Sequence, residues 1–162
     1  MRPARTKVVS RAAAVKPRRA WAKAGRRVVF TNGVFDLLHA GHVELLEKAR
    51  GLGDALIVGV NSDASVKKIK GDSRPIVGQK ERVSLIAALE SVDYAVLFNE
   101  DTPAKVIKTL RPDVLVKGAD WNKAGIVGAC FVSSYGGRVA VIKLVKGLST
   151  TNLINKIRTS GV

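Results

Sequence analysis

Short apolar runs alternate with amphipathic stretches from residue 28 to the end of the chain. The runs are rich in β-branched and aromatic residues, so they predict buried strands. These strands are predicted over 28–30, 55–60, 94–98, 114–116 and 139–142. Between them, apolar residues recur at helical spacing. The corresponding helices are predicted near 42–52, 63–70, 80–89, 102–110, 123–135 and from Ser149 onward. The alternation indicates an α/β fold, with a single doubly wound, Rossmann-like sheet of five parallel strands.

The loop after the first predicted strand holds both histidines of the chain. This loop, TNGVFDLLHAGH, follows a buried strand and leads into a helix, an arrangement that offers free N–H groups to phosphates. His39 and His42 flank Gly41, which allows a ligand or another backbone to come close. Histidines at a helix start often serve as caps or packing residues, but their joint position at a strand–helix junction favours a functional role.

Three other loops lie at the same carboxyl edge of the predicted sheet, where ligands of such sheets bind. They are NSD, KGADW and KLVKGLSTT, after the second, fourth and fifth strands. Ser149, Thr150 and Thr151 begin a helix, and hydroxyls and free N–H groups at a helix start bind anions. Four cations follow the second strand, and we expect at least one of them to contact a phosphate while the rest are solvated. These cations are Lys67, Lys68, Lys70 and Arg74.

Length and composition indicate one globular domain. The chain has 162 residues, of which 46% are hydrophobic and 25% charged. Because no apolar run approaches the roughly 18 residues of a membrane span, we expect no membrane partner. The single cysteine, Cys130, excludes an intrachain disulfide and fits a reducing cytoplasm. It falls in a predicted helix away from the cleft, so it is not a candidate nucleophile.

Positive charge is concentrated at the N-terminus. The net charge is +15, yet residues 1–27 hold ten Lys and Arg and no acid, which leaves +5 for the rest. We therefore predict a basic, flexible tail over residues 1–25, with a short helix between Pro17 and Gly25, and a globular domain over 26–162. The tail is interpreted as a solubilising leader, with a transit peptide or contact with an anionic surface or nucleic acid as alternatives. With aromatic residues at 5%, we expect no nucleic-acid partner for the domain.

Two motifs in this order resemble those of the cytidylyltransferase-like nucleotidyltransferases. The first is His39-Ala40-Gly41-His42, which matches the HxGH signature, and the second is Gly147 to Thr151, which matches G-x-S-T-T. The resemblance covers about residues 26–158 and implies a sheet of the HxGH nucleotidyltransferase type. NSDASVKKIKGDSRPIV and VLVKGADW look most like the heptose 1-phosphate adenylyltransferases, in the form that is separate from a sugar-kinase domain.

The resemblance implies transfer of AMP from ATP to a sugar 1-phosphate, with Mg²⁺ carried on ATP and no dedicated protein metal site. His39 and His42 would be catalytic, stabilising the five-coordinate α-phosphorus. The nucleotide would be held by Thr31, Asn32, Gly33, Val34, Phe35, Gly41, Gly118, Asp120, Trp121, Gly147, Ser149, Thr150 and Thr151. The phosphate or sugar-phosphate end would comprise Asp36, Asn61, Lys68, Lys70 and Arg74. Within that set, Asp36 is interpreted as an organiser of the loop, since a bare carboxylate would repel a triphosphate. A homo-oligomer is also carried over from the family.

Two other functions stay open at this point. Asp120-Trp121 resembles the glycerol-3-phosphate cytidylyltransferases, which would use CTP and a polyol phosphate. However, Leu144-Val145 stands where that branch has an Arg-Thr pair. A basic nucleic-acid-binding protein on a nucleotide-binding fold is the alternative from another class.

Overall fold

The computed structural model describes residues 2–118, 125–143 and 148–160, and its central feature is a parallel β-sheet. The strands are β1 (Val8–Val9), β2 (Val28–Gly33), β3 (Ala55–Asn61), β4 (Tyr94–Phe98), β5 (Val114–Gly118) and β6 (Arg138–Ile142). Their order in the sheet is β1-β4-β3-β2-β5-β6, and every pairing between neighbours is parallel.

Helices precede or connect these strands and cover both faces of the sheet. They are α1 (Ala4–Lys7), α2 (Arg11–Lys23), α3 (Ala40–Arg50), α4 (Asp63–Lys70), α5 (Gln79–Ala88), α6 (Ala104–Leu110), α7 (Ala129–Ser133) and α8 (Thr150–Thr159). The α/β class and the five predicted strands are confirmed. The helix predicted over 123–135 is shorter in the described part, where α7 is its counterpart; residues 119–124 lie outside the described ranges. No helix within the described ranges is both long and apolar enough to cross a membrane.

The alternation of side chains along β2 and β3 divides the core into two layers. All seven residues of β3 are buried. Val29 and Leu56 pack with residues of α3 and α5 on one face of the sheet. Phe30 and Ile57 pack with residues of α2, α6 and α7 on the other. A strand that is apolar on both faces must be covered on both, which agrees with the prediction of a buried strand over 55–60.

The N-terminal segment differs from the predicted flexible tail, and it supplies the sixth strand. Val8 and Val9 pair with Ala95 and Val96 at the edge of the sheet. A two-residue strand carries no readable periodicity, so the count of five strands is corrected to six. This edge strand brings the segment before α2 into the fold.

The helix of this segment is also longer than predicted. Pro17 lies inside α2 instead of beginning it, and Ala14 is fully buried. Arg18 donates to Asp113 at 3.1 Å and to the carbonyl oxygen of Arg111 at 2.7 Å. Several cations of the segment are thus used in contacts with the domain.

The order of the strands reverses at β2. From β2 the chain proceeds through β3 to β4 on one side, and then returns to place β5 and β6 on the other. The carboxyl ends of β2 and β5 therefore border the switch point, where open α/β sheets form their ligand crevice.

Candidate active site

A cleft of about 270 Å³ opens at the carboxyl ends of β2 and β5. It is bordered by the β2–α3 loop, the first turn of α3, the end of β5 and the first residues of α8. Its lining residues are Asn32, Gly33, Val34, Phe35, His39, Gly41, His42, Leu45, Lys117, Gly118, Leu148, Ser149 and Thr150. The structure thus brings together most of the described residues that the sequence assigned to nucleotide binding, and both histidines.

The two imidazole rings are stacked on each other in this cleft. Their centroids are 3.8 Å apart and their planes are inclined by 23°. The Phe35 ring meets His42 edge-on, with centroids 5.3 Å apart. Both Nδ1 atoms are buried, and neither has a hydrogen-bond partner among the residues that the structure describes. Buried polar atoms are normally paired, so these two nitrogens are candidates for contact with a ligand.

Burial keeps both histidines neutral near pH 7. It lowers the pKa of His42 to about 4, and the neighbouring charge of His39 acts in the same direction. Burial also lowers the pKa of His39 from its ordinary value. A neutral imidazole carries one N–H donor, so each ring can donate to an anionic oxygen without the cost of a buried cation.

Two helix N-termini meet at the cleft, which suits an anion. His39 is the N-cap of α3, and Ser149 is the N-cap of α8. A Cβ atom on Gly41 would lie 3.1 Å from ring atoms of His39 and 3.3 Å from Cβ of Leu148. A larger residue at this position would therefore require the His39 ring or Leu148 to shift by a few tenths of an ångström. The free N–H groups of both first turns add partial positive charge to the site.

The hydroxyl groups of the G-x-S-T-T motif have different surroundings. The Ser149 hydroxyl accepts a hydrogen bond from the backbone N–H of Asn152 at 3.1 Å, which confirms it as a helix cap. Thr150 lines the cleft, whereas Thr151 is exposed and does not line it. Gly147, Asp120 and Trp121, which were also predicted to bind the nucleotide, lie outside the described residues.

Thr31 belongs to the sheet rather than to the cleft. It is buried, and its hydroxyl donates to the carbonyl oxygen of Val116 at 3.1 Å. The predicted strand ended at Phe30, but β2 continues to Gly33. Thr31 therefore links two central strands, and its predicted place in the nucleotide site is corrected.

Asp36 holds two loops together. Its carboxylate accepts hydrogen bonds from Arg74 Nε at 2.6 Å and from the backbone N–H groups of Ile76 and Val77. Burial alone would raise the pKa of Asp36, but the hydrogen bonds from Val77, Ile76 and Arg74 outweigh it, so the pKa lies below its ordinary value. This geometry agrees with the role of loop organiser. It corrects the placement of Asp36 and Arg74 among phosphate ligands, because each is bound to the other and neither lines the cleft.

The remaining predicted phosphate ligands also lie away from this cleft. Lys68 is exposed and forms an ion pair with Asp101 at 3.0 Å, and Lys70 is exposed at the end of α4. Asn61 is buried and donates to the Ser65 hydroxyl at 2.9 Å. It lines a second cavity of about 230 Å³ beside the cleft. The second cavity is lined by Asn32, Asn61, Ile69, Asp101, Thr102, Pro103, Lys117, Ile126 and Val127.

Lys117 is a site residue that the sequence reasoning missed. Its Nζ donates to Oδ1 of Asn32 at 2.5 Å, across the switch point between β5 and β2. Burial lowers the pKa of Lys117 to about 8. A signal was present, because a lysine directly after the apolar run 114–116 stands at the carboxyl end of a strand, where ligands bind.

Arg82 was also missed, and it stabilises the backbone of a loop that lines the cleft. Its guanidinium is fully buried and donates to the carbonyl oxygens of Val34 and Val77, at 2.6 and 2.9 Å. It also forms an ion pair with Asp63 at 2.8 Å. Val34 is part of the loop that lines the cleft, so Arg82 fixes the backbone of that loop. An arginine within an amphipathic helix looks like a solvated residue in the sequence.

The chemistry of the cleft is that of an anion site: helix N-termini, a serine and a threonine, two neutral imidazoles and one partly buried lysine. In the described part of the chain, no three His, Cys, Asp or Glu side chains form a group that could hold a metal ion. The donor set suits a polyphosphate that arrives with its own cation.

Comparison with known proteins identifies the family. A family model described as cytidylyltransferase-like matches residues 30–159. The chain is 59% identical over 133 residues to the "Bifunctional protein HldE" of Geobacter sulfurreducens, covering 82% of this chain and 27% of that protein. It is 52% identical over 153 residues to the HldE of Koribacter versatilis, covering 94% of this chain and 32% of that protein. The chain thus spans about a third or less of the length of these relatives.

A solved structure shares the fold. It is the lipopolysaccharide core biosynthesis protein from Thermoplasma volcanium, with a TM-score of 0.61 and 30% sequence identity. The match covers 75% of this chain and 98% of that protein. The motifs, the sheet and the family match agree, and the chain belongs to the cytidylyltransferase-like family of nucleotidyltransferases.

Proposed function

We propose that the chain transfers AMP from ATP to D-glycero-β-D-manno-heptose 1-phosphate, releasing pyrophosphate and forming ADP-heptose for lipopolysaccharide or another envelope polysaccharide. The observation that carries the transfer chemistry is the stacked pair His39 and His42, whose buried Nδ1 atoms have no partner among the described residues. The heptose assignment rests on the resemblance of residues 61–77 and 114–121, and on the high identity to HldE proteins. The name of the Thermoplasma protein supports a role in envelope polysaccharide.

The reaction needs little covalent chemistry from the protein. An oxygen of the acceptor phosphate attacks the α-phosphorus of ATP, a new P–O bond forms, and the bond to the leaving pyrophosphate breaks. Catalysis of such transfers depends on positioning and on stabilising the charge that develops on the equatorial and leaving oxygens. Mg²⁺ is expected to arrive on ATP, bridging its phosphates.

Different residues of the cleft would position the nucleotide and stabilise the charge on its phosphates. The imidazoles of His39 and His42 donate to oxygens of the triphosphate, and the first turns of α3 and α8 add backbone N–H groups. Both imidazoles are neutral before binding, but an approaching anion raises their pKa and favours the imidazolium form, whose hydrogen bonds to phosphate oxygens are stronger because the donor is charged. Ser149 and Thr150 border the same anion, and the backbone near Val34 lies along the nucleotide.

Pyrophosphate release tests the proposal. Purified chain with Mg²⁺ is offered four pairs of substrates: ATP or CTP with the heptose phosphate, and ATP or CTP with glycerol 3-phosphate. We expect release with ATP and heptose phosphate, and a fall of about 10²–10³-fold in kcat for His39→Ala and for His42→Ala. Glu47→Gln, on the exposed side of α3, is the matched control and should retain activity.

The same experiment tests the second candidate. The pair Asp120-Trp121 favours a CTP-dependent polyol-phosphate transferase, which would release pyrophosphate with CTP and glycerol 3-phosphate. That outcome would replace the heptose assignment and keep the reaction class. Absence of release with all four pairs, in protein that is folded by circular dichroism, would refute transfer to both acceptors.

A further inference from the structure

The helices on the two faces of the sheet differ in charge. On one face, α1, α3 and α5 carry both signs, and their acids are Glu44, Glu47 and Glu81. On the other face, α2, α6 and α7 contain no acid. The cations of this second layer are Arg11, Lys16, Arg18, Arg19, Lys23, Lys105 and Lys108. The excess of positive charge therefore lies on the layer to which the N-terminal segment contributes α2.

Three of the five cations of α2 have no acidic partner. Arg11 and Arg18 form ion pairs with acids of the domain. Lys16, Arg19 and Lys23 are exposed and belong to no ion pair among the described residues. They recur at i, i+3 and i+7, so they form one row of about 10 Å along the helix. This row is available to an external anion.

Small residues separate the cations of this row. Ala12, Val15 and Ala20 line, together with the three cations, a surface depression of about 450 Å³ along α2. No large exposed hydrophobic residue of the described chain lies on α2 or α6. The surface therefore lacks the aromatic anchors of a protein interface and the bulky apolar residues of a membrane-inserting helix. Its attraction for a partner must come from charge.

Helix α6 extends the row into a surface. Lys105 and Lys108 are exposed on α6, which packs beside α2 on the same face of the sheet. These two lysines and the three cations of the row are together called the basic face. Helices that pack side by side lie about 8–10 Å apart, so the five charges spread over an area instead of a single line. None of the five side chains lines the cleft, so an occupant can cover the basic face while substrates reach the cleft.

We propose that the basic face docks the protein on an anionic membrane surface, where it lies flat and does not insert. A bilayer presents its headgroup phosphates in a plane and can meet both helices at once. Each Lys or Arg close to such a surface strengthens binding about fivefold. The absence of a spanning run, from which we expected no membrane partner, does not bear on a protein that lies on the surface.

Nucleic acid is the less favoured occupant. Reading of base edges uses amide side chains as well as arginine, and binding of single strands uses exposed aromatic rings. The basic face contains neither amides nor aromatic rings. The choice of a membrane also rests in part on the proposed function, because the product would serve lipopolysaccharide, whose lipid part is anchored in a membrane.

Cosedimentation of the full chain with vesicles tests the proposal. We expect binding to phosphatidylcholine vesicles that contain about one third phosphatidylglycerol, and no binding to phosphatidylcholine alone. Binding should be lost in about 0.5 M salt, where charges are screened within about 4 Å. The triple variant Lys16→Gln, Arg19→Gln, Lys23→Gln should bind the anionic vesicles about a hundred-fold more weakly.

A second triple variant is the matched control. Arg5→Gln, Lys48→Gln, Lys80→Gln removes three exposed cations from the opposite layer and has the same net charge. It should weaken vesicle binding less than about threefold, because these residues do not face the membrane. Circular dichroism checks that both variants are folded. Equal weakening in the two variants would show that only net charge matters and would overturn the proposal.

The remaining outcomes separate the possible occupants. Failure of the wild type to bind anionic vesicles would overturn the proposal. Tighter binding to duplex DNA or to polyglutamate at the same salt, lost in the α2 variant, would assign the basic face to another polyanion and would also overturn it. None of these measurements involves turnover. Their failure is therefore independent of pyrophosphate release, on which the proposed function depends.

Discussion

Arg82 is the largest fully buried side chain of the described residues, and its replacement gives the sharpest test of how the cleft is supported. The change Arg82→Met keeps an unbranched side chain of similar length and removes every hydrogen bond of the guanidinium. The carbonyl oxygens of Val34 and Val77 then lose their donor, and Asp63 loses its ion-pair partner.

The expected loss of stability follows from these partners. Leaving one side of a buried ion pair without its partner typically costs about 3–5 kcal/mol. Asp63 is partly exposed and also accepts a hydrogen bond from the backbone N–H of Gln79, so the loss of its ion pair should cost less than this range. The two carbonyl oxygens add about 1 kcal/mol each. We expect Arg82→Met to lower the free energy of unfolding by about 3–4 kcal/mol.

Urea denaturation monitored by circular dichroism measures this loss. Arg82→Lys should be intermediate, because an ammonium group retains the charge but cannot reach three acceptors as a planar guanidinium does. Lys80→Met, exposed on the same helix, is the matched control and should stay within about 0.5 kcal/mol of wild type. A loss below 1 kcal/mol for Arg82→Met would refute the reasoning, since the buried guanidinium would then not support the loop.

Two other predictions concern the histidines. Because the pKa of His42 is about 4 when folded and 6.5 ordinarily, the unfolded chain binds more protons between these values, and the free energy of unfolding should fall as pH falls through this window. After allowance for partial solvent exposure we expect a loss of about 2 kcal/mol, which denaturation at pH 7 and pH 4.5 would detect. His42→Asn should remove most of this loss and leave the part due to His39, whose pKa burial also lowers; an equal loss in the variant would contradict the assignment. Gly41→Ala places a Cβ 3.1 Å from the His39 ring. The variant should lower kcat/KM about ten- to a hundred-fold, while its melting temperature stays within a few degrees of wild type. An unchanged kcat/KM would show that the close approach at Gly41 does not matter for the reaction.

The central sheet could be predicted from the sequence because its strands are continuous apolar runs. The run 94–98 coincides with β4, and the run 55–60 differs from β3 by one residue. The edge strand β1 has two residues, and its place in the sheet depends on pairing with a strand far away in the chain. Pro17 suggested a helix start, yet burial of Ala14 against the sheet keeps α2 continuous through it.

Some residues of the candidate site were placed correctly from the sequence, and others were misplaced or missed. The difference depends on where the strands end. Loop residues His39, Gly41 and Ser149 were assigned correctly to the edge of the sheet because motif and position agree. Thr31 was misplaced because β2 runs three residues beyond the predicted strand. Lys117 was missed because β5 likewise continues to Gly118, so this lysine belongs to the strand and lines the cleft. Side-chain direction at a strand end changes with each added residue, and periodicity does not fix that end.

The docked N-terminal segment changes how its basic charge should be studied. Removing residues 1–27 would expose the backbone of β4 along a sheet edge, where unpaired N–H and C=O groups promote association between chains. It would also uncover the apolar surface that Ala14 covers. A truncated protein would therefore report on self-association as well as on charge. Charge reversal at exposed Lys16, Arg19 and Lys23 leaves β1 and the buried face of α2 in place and isolates the electrostatic contribution.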